Sequence, residues 1–300
     1  MNSEPAIWML HGPTASGKTA LAIELAQFLG TEVINCDARQ VYRELNIGVA
    51  RPSAAERAAV PHHGIGSHSI HEPLTAASYA EWAEPVLRDV IARTGSAVVA
   101  GGSGLYAMAL LEGLDPMPPA DPALRAELEE RWAADPLALA AELQRADPVY
   151  AATADLHNAR RVVRALEVIA LTGTPYSQQR RGSVSRAWPL PVLEVVLNAP
   201  MDWLEARIAQ RSLQMMADGL RDEALGLQQW AHLTPLHTVG YREFYEPGAP
   251  VHDDAQMADR ISLRTRQYAK RQKTWLAKRT EALQIPAADA WNYLRTHGRA

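Results

Sequence analysis

The chain has 300 residues, 47% of them hydrophobic and 21% charged, which suits one large domain or two modest ones with a substantial buried core. Its single cysteine, Cys36, excludes an intramolecular disulfide and any cysteine-cluster zinc finger, and no apolar run approaches the ~20 residues of a membrane span, so no membrane partner is expected. The formal net charge of −4, taken as a single number, argues weakly against a polyanionic partner.

In chain order, Met1-Asn2-Ser3-Glu4-Pro5 lacks the basic and apolar regions of a signal peptide, and a cytoplasmic location is expected. The apolar run Ala6-Ile7-Trp8-Met9-Leu10 reads as a buried strand. It leads into Gly12-Pro13-Thr14-Ala15-Ser16-Gly17-Lys18-Thr19, and a helical segment, Ala20–Ala26, follows. This is the phosphate-binding pattern G-x-x-x-x-G-K-[ST] in its strand–loop–helix context. Loop amides at a helix N-terminus can wrap a phosphate, Lys18 adds a mobile cation, and the Thr19 hydroxyl can hold Mg²⁺. The loop alone predicts a diphosphate or triphosphate ligand.

Glu32-Val33-Ile34-Asn35-Cys36 reads as a second buried strand ending at Asp37. In a doubly wound sheet, ligands sit outside the carboxyl ends of the strands, so Asp37 either faces the crevice of the P-loop or caps a helix or loop. A loop from Arg39 to Pro52 and a short helix near Ala54–Val60 come next. His62, His63, His68 and His71 follow in a segment with a short strand; their spacing does not match a metal-binding helix face. Helical periodicity covers Ala76–Arg93 and stops at Gly95. Ala97-Val98-Val99-Ala100 is a further strand, and it runs into a second glycine-rich turn, Gly101-Gly102-Ser103-Gly104-Leu105-Tyr106.

Composition then changes. Asp115–Pro122 resembles a linker, and about seventy strandless residues carry helical patterns at Ala123–Ala134, Leu137–Arg145 and Asp155–Leu171. Strand character returns at Val192–Leu197, and helices are expected over Asp202–Ala217, Leu220 to about Trp230, and about Asp254 to Lys278. The expected architecture is an α/β P-loop NTPase-like parallel sheet core flanked by helices, with an inserted all-helical domain and a long C-terminal basic helix. The divisions expected are 1–117 (core), 118–187 (helical insertion) and 188–300 (core).

Charge is unevenly spread. Arg260 to Arg279 holds eight Lys or Arg and no acid, and Asp155 to Arg186 holds six Arg against Asp155 and Glu167. Such blocks in an acidic chain point to a polyanion larger than the P-loop's own ligand. No Asn-Lys-x-Asp base-reading motif of a GTPase is present, and the strand ending at Asp37 lies too soon after the P-loop for a typical motor ATPase. A small-molecule kinase fits the loop but leaves the basic blocks without a role.

Together these motifs resemble the bacterial tRNA dimethylallyltransferase (tRNA isopentenyltransferase) family over nearly the whole chain. Asp37-Ala38-Arg39-Gln40-Val41-Tyr42 is similar to D-S-x-Q-x-Y, Ile47–Pro52 to I-G-T-A-K-P, and Pro61-His62-His63 to P-H-H. Gly101–Tyr106 is similar to G-G-[TS]-x-L-Y, Arg160–Glu167 contains R-x-x-R-A-L-E, Val239–Arg242 contains G-Y-[RK], and Thr265–Gln272 matches T-R-Q-x-A-K-R-Q. Ala38, Val49, Arg51 and Gly66 stand where the family usually has Ser, Thr, Lys and Asp.

The resemblance implies transfer of a dimethylallyl group from dimethylallyl diphosphate to the exocyclic amine of the adenine 3′ of the anticodon, with Mg²⁺ as cofactor. It implies Asp37 as general base, and Lys18, Thr19, Arg211 and the loop Gly12–Thr19 as the cradle of the leaving diphosphate. Expected tRNA contacts are Asp37, Ala38, Arg39, Gln40, Ser103, Arg125, Arg160, Arg161, Val162, Val163 and Arg164. To these the resemblance adds His237, Thr238, Val239, Gly240, Tyr241 and Arg242, with Lys270, Arg271, Gln272, Lys273, Thr274, Trp275, Leu276 and Ala277. The partner implied is the tRNA anticodon stem-loop, bound by a monomer. An adenylate isopentenyltransferase acting on free nucleotide, or an RNA-binding P-loop protein without catalysis, are the alternatives.

Overall fold

The computed structural model of the protein describes residues 4–180 and 186–297. Six strands form one parallel sheet: β1 (Ile7–His11), β2 (Val33–Asn35), β3 (His62–His63), β4 (Ala97–Ala100), β5 (Val192–Asn198) and β6 (Leu283–Pro286), in the spatial order β3-β2-β4-β1-β5-β6. Parallel strands covered by helices on both faces must be apolar in a continuous run. β1 obeys this, since Ile7, Met9 and Leu10 are completely inaccessible and Trp8 nearly so. One face of β1, with Val98 of β4 and Val195 and Leu197 of β5, packs on Leu21 and Leu25 of the helix Lys18–Leu29.

The order of strands positions the site. β4 lies between β1 and β2, so the turn after β4 sits between the P-loop after β1 and Asp37 after β2. The close approach there requires glycine: a Cβ on Gly101 would stand 1.9 Å from the Cys36 carbonyl oxygen.

Packing divides the chain into two compact units, Met1–Leu111 with Ala187–Ala300, and Glu112–Arg186. The second unit is all-helical among its described residues, with main helices Pro122–Ala134, Pro136–Ala146 and Ala159–Thr172. Three of its helix starts are Asp-Pro pairs: Asp121, Asp135 and Asp147 each accept backbone N–H bonds as N-caps, and the following proline takes the first helical position. Proline lacks the amide that would be orphaned there anyway, so the pair both caps and starts a helix. The core of this unit is Leu128, Leu139, Leu143, Val162, Val163 and Leu166.

Several expected boundaries move. The helix expected from Asp155 begins at Ala159, because Asn158 supplies the cap by accepting from Arg161 N–H. The helix expected to reach Trp230 stops at Gly226 and gives way to a 3₁₀ turn, Gln228–Trp230. The long basic helix spans Asp254–Leu276, two residues short of Lys278. The strand β6 and the helix Ala290–His297 had no sequence expectation.

Candidate active site

The P-loop bends through two left-handed residues. Gly17 (φ 89°) pays no steric cost for this, whereas Ala15 (φ 64°) does, an example of the local strain often stored in ligand-binding loops. Lys18 Nζ donates to the Gly12 and Pro13 carbonyls, both at 2.8 Å, so its side chain folds back along the loop. Two arginines of the helix Met201–Ala217 reach the same loop: Arg211 donates to Thr14 Oγ1 (2.6 Å) and Arg207 to the Ala15 carbonyl (2.8 Å). Arg207 was not anticipated, although its position one helical turn before Arg211 puts both on one face. The Ser16 hydroxyl is buried without a hydrogen-bond partner. Buried polar atoms are rarely left so.

Burial lowers the pKa of Lys18 from 10.5 to about 8; the Asp37 charge acts upward and Arg211 downward. Arg211 falls to about 10, again through burial first, then Arg207, with Asp37 opposing. Two cations and Asp37 therefore share one electrostatic environment at the carboxyl ends of β1 and β2.

Asp37 serves its own turn as well as facing this group. Its Oδ1 accepts from Arg39 N–H at 2.9 Å and Gln40 N–H at 3.4 Å, while Oδ2 has no hydrogen-bond partner among the described residues. Ser103 in the β4 turn accepts from Ala38 N–H at 2.8 Å, leaving its own proton available for donation. Gln40 is engaged within the protein, its Nε2 donating to the Val49 and Ala50 carbonyls (3.1 and 3.0 Å).

The loop bearing those carbonyls is gripped by Glu223, which sequence reasoning did not single out. Glu223 accepts from the consecutive amides of Asn46 (3.3 Å), Ile47 (2.9 Å) and Gly48 (3.2 Å) and from the Tyr241 hydroxyl (2.5 Å). Arg51 closes the loop from behind by donating to the Tyr42 and Leu45 carbonyls. Val49, where the family has Thr, packs against the apolar cluster of Tyr241, Met257 and Ile261, an environment that asks for no hydroxyl. Gly66 takes a left-handed conformation (φ 59°), and a Cβ there would stand 3.2 Å from the Arg51 guanidinium.

A cavity of about 330 Å³ opens between the glycine turn after β4 and the long helix. Leu105, Tyr106, Tyr268 and Trp275 give it an apolar wall, and Gly12, Ser103 and Arg271 line it as well. Its size suits a small ligand. His11, also on its wall, is buried and hydrogen-bonds Glu194 Oε2 at 2.9 Å.

The basic block is partly neutralised within the fold. Arg260 and Arg264 pair with Glu246, Arg266 faces Glu205 (3.8 Å), Arg279 faces Glu194 (3.4 Å), and Lys273 donates to the Ala199 carbonyl (2.6 Å). Lys270, Arg271 and Lys278 are exposed and have no carboxylate partner among the described residues. Thr274 and Ala277 are also exposed, Trp275 is half-buried, and Leu276 is buried. In the 237–242 segment, His237 is exposed, Thr238, Val239 and Arg242 are half-buried, and Gly240 and Tyr241 are buried.

In the helical unit, Arg125 and Arg164 both bond the fully buried Glu167 at 2.5 Å. Burial raises the Glu167 pKa, but the two guanidinium bonds outweigh it and leave the carboxylate lowered. Arg160 and Arg161 are exposed without a carboxylate partner among the described residues, while Val162 and Val163 belong to the core.

The histidine-rich segment has separate local partners: His62 Nδ1 meets the Val60 carbonyl, His63 bonds Glu32, and His68 and His71 lie edge-on to Trp82 and Trp230. No group of three potential metal-ligating side chains occurs among the described residues, and no helix there is long and apolar enough to cross a membrane.

The IPP transferase family model matches residues 40–279. The chain is 42% identical over 301 residues to the tRNA dimethylallyltransferase of Stenotrophomonas maltophilia (strain K279a), a match covering 94% of this chain and 92% of that protein. It is similar to the crystal structure of the full-length tRNA isopentenylpyrophosphate transferase of Bacillus halodurans, with a TM-score of 0.68, 30% identity, and coverage of 97% and 96% of the two chains. A eukaryotic dimethylallyltransferase solved acting on tRNA shares the fold, with a TM-score of 0.80, 24% identity, and coverage of 98% of this chain and 76% of that one.

Proposed function

Because the chain belongs to the IPP transferase family, we propose that it transfers a dimethylallyl group from dimethylallyl diphosphate to N6 of the adenine 3′ of the anticodon in tRNA. The observation that carries this reading is the electrostatic proximity of two half-buried cations at the P-loop, Lys18 and Arg211, to Asp37, a carboxylate with one oxygen unpartnered among the described residues. An adenine amine is a poor nucleophile because its lone pair is delocalised into the ring. As N6 bonds to C1 of the donor, the C1–O bond breaks and the amine proton passes to Asp37.

The diphosphate leaves with more charge than it had in the donor. Lys18, Arg211 and the loop amides are fixed where that charge develops, which is the arrangement that lowers the barrier most. The donor set also suits Mg²⁺: Thr19 Oγ1 stands at the helix N-terminus with no hydrogen-bond partner among the described residues, and Mg²⁺ commonly combines few protein oxygens with those of a bound diphosphate. When bound, the ion neutralises charge on the leaving group. The apolar wall of Leu105, Tyr106, Tyr268 and Trp275 offers the five-carbon tail a surface to lie against.

Chemistry on a base requires it to leave the stack, which is least costly in a loop such as the anticodon's. Asp37, Ala38, Gln40 and Ser103 surround the flipped adenine, and Lys270, Arg271 and Lys278 hold phosphates of the anticodon stem-loop. Neutralising these three to Gln is expected to flatten the slope of log affinity for tRNA against log salt by about 2 to 3. Filter-binding titrations from low to moderate salt measure it, and an unchanged slope would move the RNA away from this helix.

The reading as a whole is tested by mass spectrometry. Protein, Mg²⁺ and dimethylallyl diphosphate are incubated with unmodified tRNA or with AMP. Gain of a C5H8 unit on tRNA is expected; gain on AMP alone indicates an adenylate isopentenyltransferase, and none on either indicates an RNA-binding protein without catalysis.

A further inference from the structure

Beyond Gly101, the two glycine-containing loops of the site diverge from the sheet that aligns them. The last backbone link between them is Gly101 N–H to the Leu10 carbonyl, at 3.4 Å. On its other side the β4 turn is well tied: Ser103 N–H donates to the Cys36 carbonyl, and Ser103 Oγ accepts from Ala38 N–H. On the P-loop side, one side chain spans the gap. Gln272, 8% exposed on the long helix, accepts from Thr14 N–H through Oε1 (2.8 Å) and donates through Nε2 to the Gly102 carbonyl (3.0 Å). The partners fix the amide orientation, since a donor faces the oxygen and an acceptor faces the nitrogen. No other hydrogen bond joins residues 12–19 to residues 102–104 among the described residues. The helix is pressed onto the turn: a Cβ on Gly102 would lie 2.6 Å from Gln272 Nε2, and one on Gly104 would lie 2.5 Å from the Trp275 ring.

We propose that Gln272 is a positioning residue, a strut that sets the spacing between the diphosphate cradle and the Asp37–Ser103 end where the acceptor amine is held. This rests on the transferase reading above and gives Gln272 a different task from the RNA contact expected of its motif. Displacement at C1 needs the attacking nitrogen within about 3–3.5 Å of the carbon and in line with the departing oxygen, and a misplacement of ~1 Å can cost ~100-fold. The cradle fixes the carbon and the β4 turn fixes the amine, so beyond the sheet the Gln272 bridge, the one hydrogen-bonded span between them among the described residues, sets their distance.

Three variants test the strut. Gln272→Asn is shorter by one methylene and cannot reach both loops. Its kcat is expected to fall roughly 10- to 100-fold, with the donor KM and the tRNA Kd each within about threefold of wild type. Gln272→Met keeps the length and loses both bonds, and should behave alike. Gln272→Glu keeps the Thr14 acceptor but turns the Gly102 contact repulsive; protonation restores its donor, so the ratio of its kcat to wild type should rise as pH is lowered. Exchange of the Thr14 amide with deuterium, read by NMR on the full chain, should quicken in Gln272→Asn whether or not turnover is seen.

Wild-type kcat in Gln272→Asn and Gln272→Met would overturn the proposal, and so would weakened tRNA binding with kcat intact. Unaltered Thr14 exchange would also overturn it. A wild-type protein that transfers nothing to tRNA, with Thr14 exchange still responding to Gln272, would instead defeat the transferase reading and leave the strut standing as structure.

Discussion

Replacing Asp37 by asparagine is expected to lower kcat by about 10²- to 10⁴-fold, the usual worth of a positioned general base, while tRNA affinity stays within about twofold. Asparagine is the informative replacement because Asp37 also supports its own turn. Oδ1 accepts from the Arg39 and Gln40 amides, and an asparagine carbonyl can do the same. What changes is the second position, where an oxygen with no partner becomes an NH₂ group that cannot take the amine proton. Alanine would remove the turn's acceptor as well, so a loss of tRNA binding confined to Asp37→Ala would report the turn and not the base. Single-turnover transfer with saturating tRNA, beside a binding titration, separates the two. Near-normal turnover in Asp37→Asn would remove Asp37 from the base role.

The second large effect concerns Lys18. Lys18→Met is expected to lower kcat/KM for the donor by roughly 10²- to 10³-fold, as for other fixed donors at a developing charge. The wild-type protein should show the same dependence through pH. With the Lys18 pKa brought down to about 8 by burial, the free protein loses that cation as pH rises through 8. The donor KM should be nearly flat below this value and climb by up to about tenfold per pH unit above it. In Lys18→Met the climb should vanish along with the affinity. A wild-type KM flat to pH 9 would mean that Lys18 does not meet the diphosphate as a cation.

The sign for folding is opposite in sense to that of a salt-bridged lysine. The folded pKa lies below the unfolded 10.5, so the unfolded chain holds the proton more tightly. A charged Lys18 therefore costs stability below pH 8, and the cost fades between 8 and 10.5. A bound diphosphate opposes that cost, so the stabilisation by the donor should be larger at pH 7 than at pH 9.

The parts of the molecule legible in sequence are those written locally. The P-loop, the strand ending at Asp37 and the glycine turn after β4 each occupy a few consecutive residues, and the parallel order of the sheet brings their ends together. The edge strand β6 was not legible: only Ile285 of its four residues is buried, and Pro286 ends it, so it carries neither alternation nor a continuous apolar run. Longer-range pairings were equally hidden. Glu223 meets the 46–48 amides across some 175 residues of chain, and Gln272 meets Thr14 across 258. Counting charge along Arg260–Arg279 overstated the free cations for the same reason, since Glu194, Glu205 and Glu246 lie outside the block and neutralise it in space. Arg125 likewise meets the buried Glu167 across 42 residues of chain, beside Arg164.

The Glu223 arrangement bears on anion discrimination. Three successive backbone amides facing one way are a concavity for negative charge, the same device as the P-loop. At residues 46–48 it comes already filled by a carboxylate tethered to the chain, so its effective concentration is far beyond that of any solute. Phosphate or sulfate from the surroundings competes poorly there and is directed to the P-loop. Inhibition by simple anions should therefore be competitive with the prenyl donor, and the segment carrying Val49 and Ala50 should keep its shape as the phosphate concentration around it rises and falls.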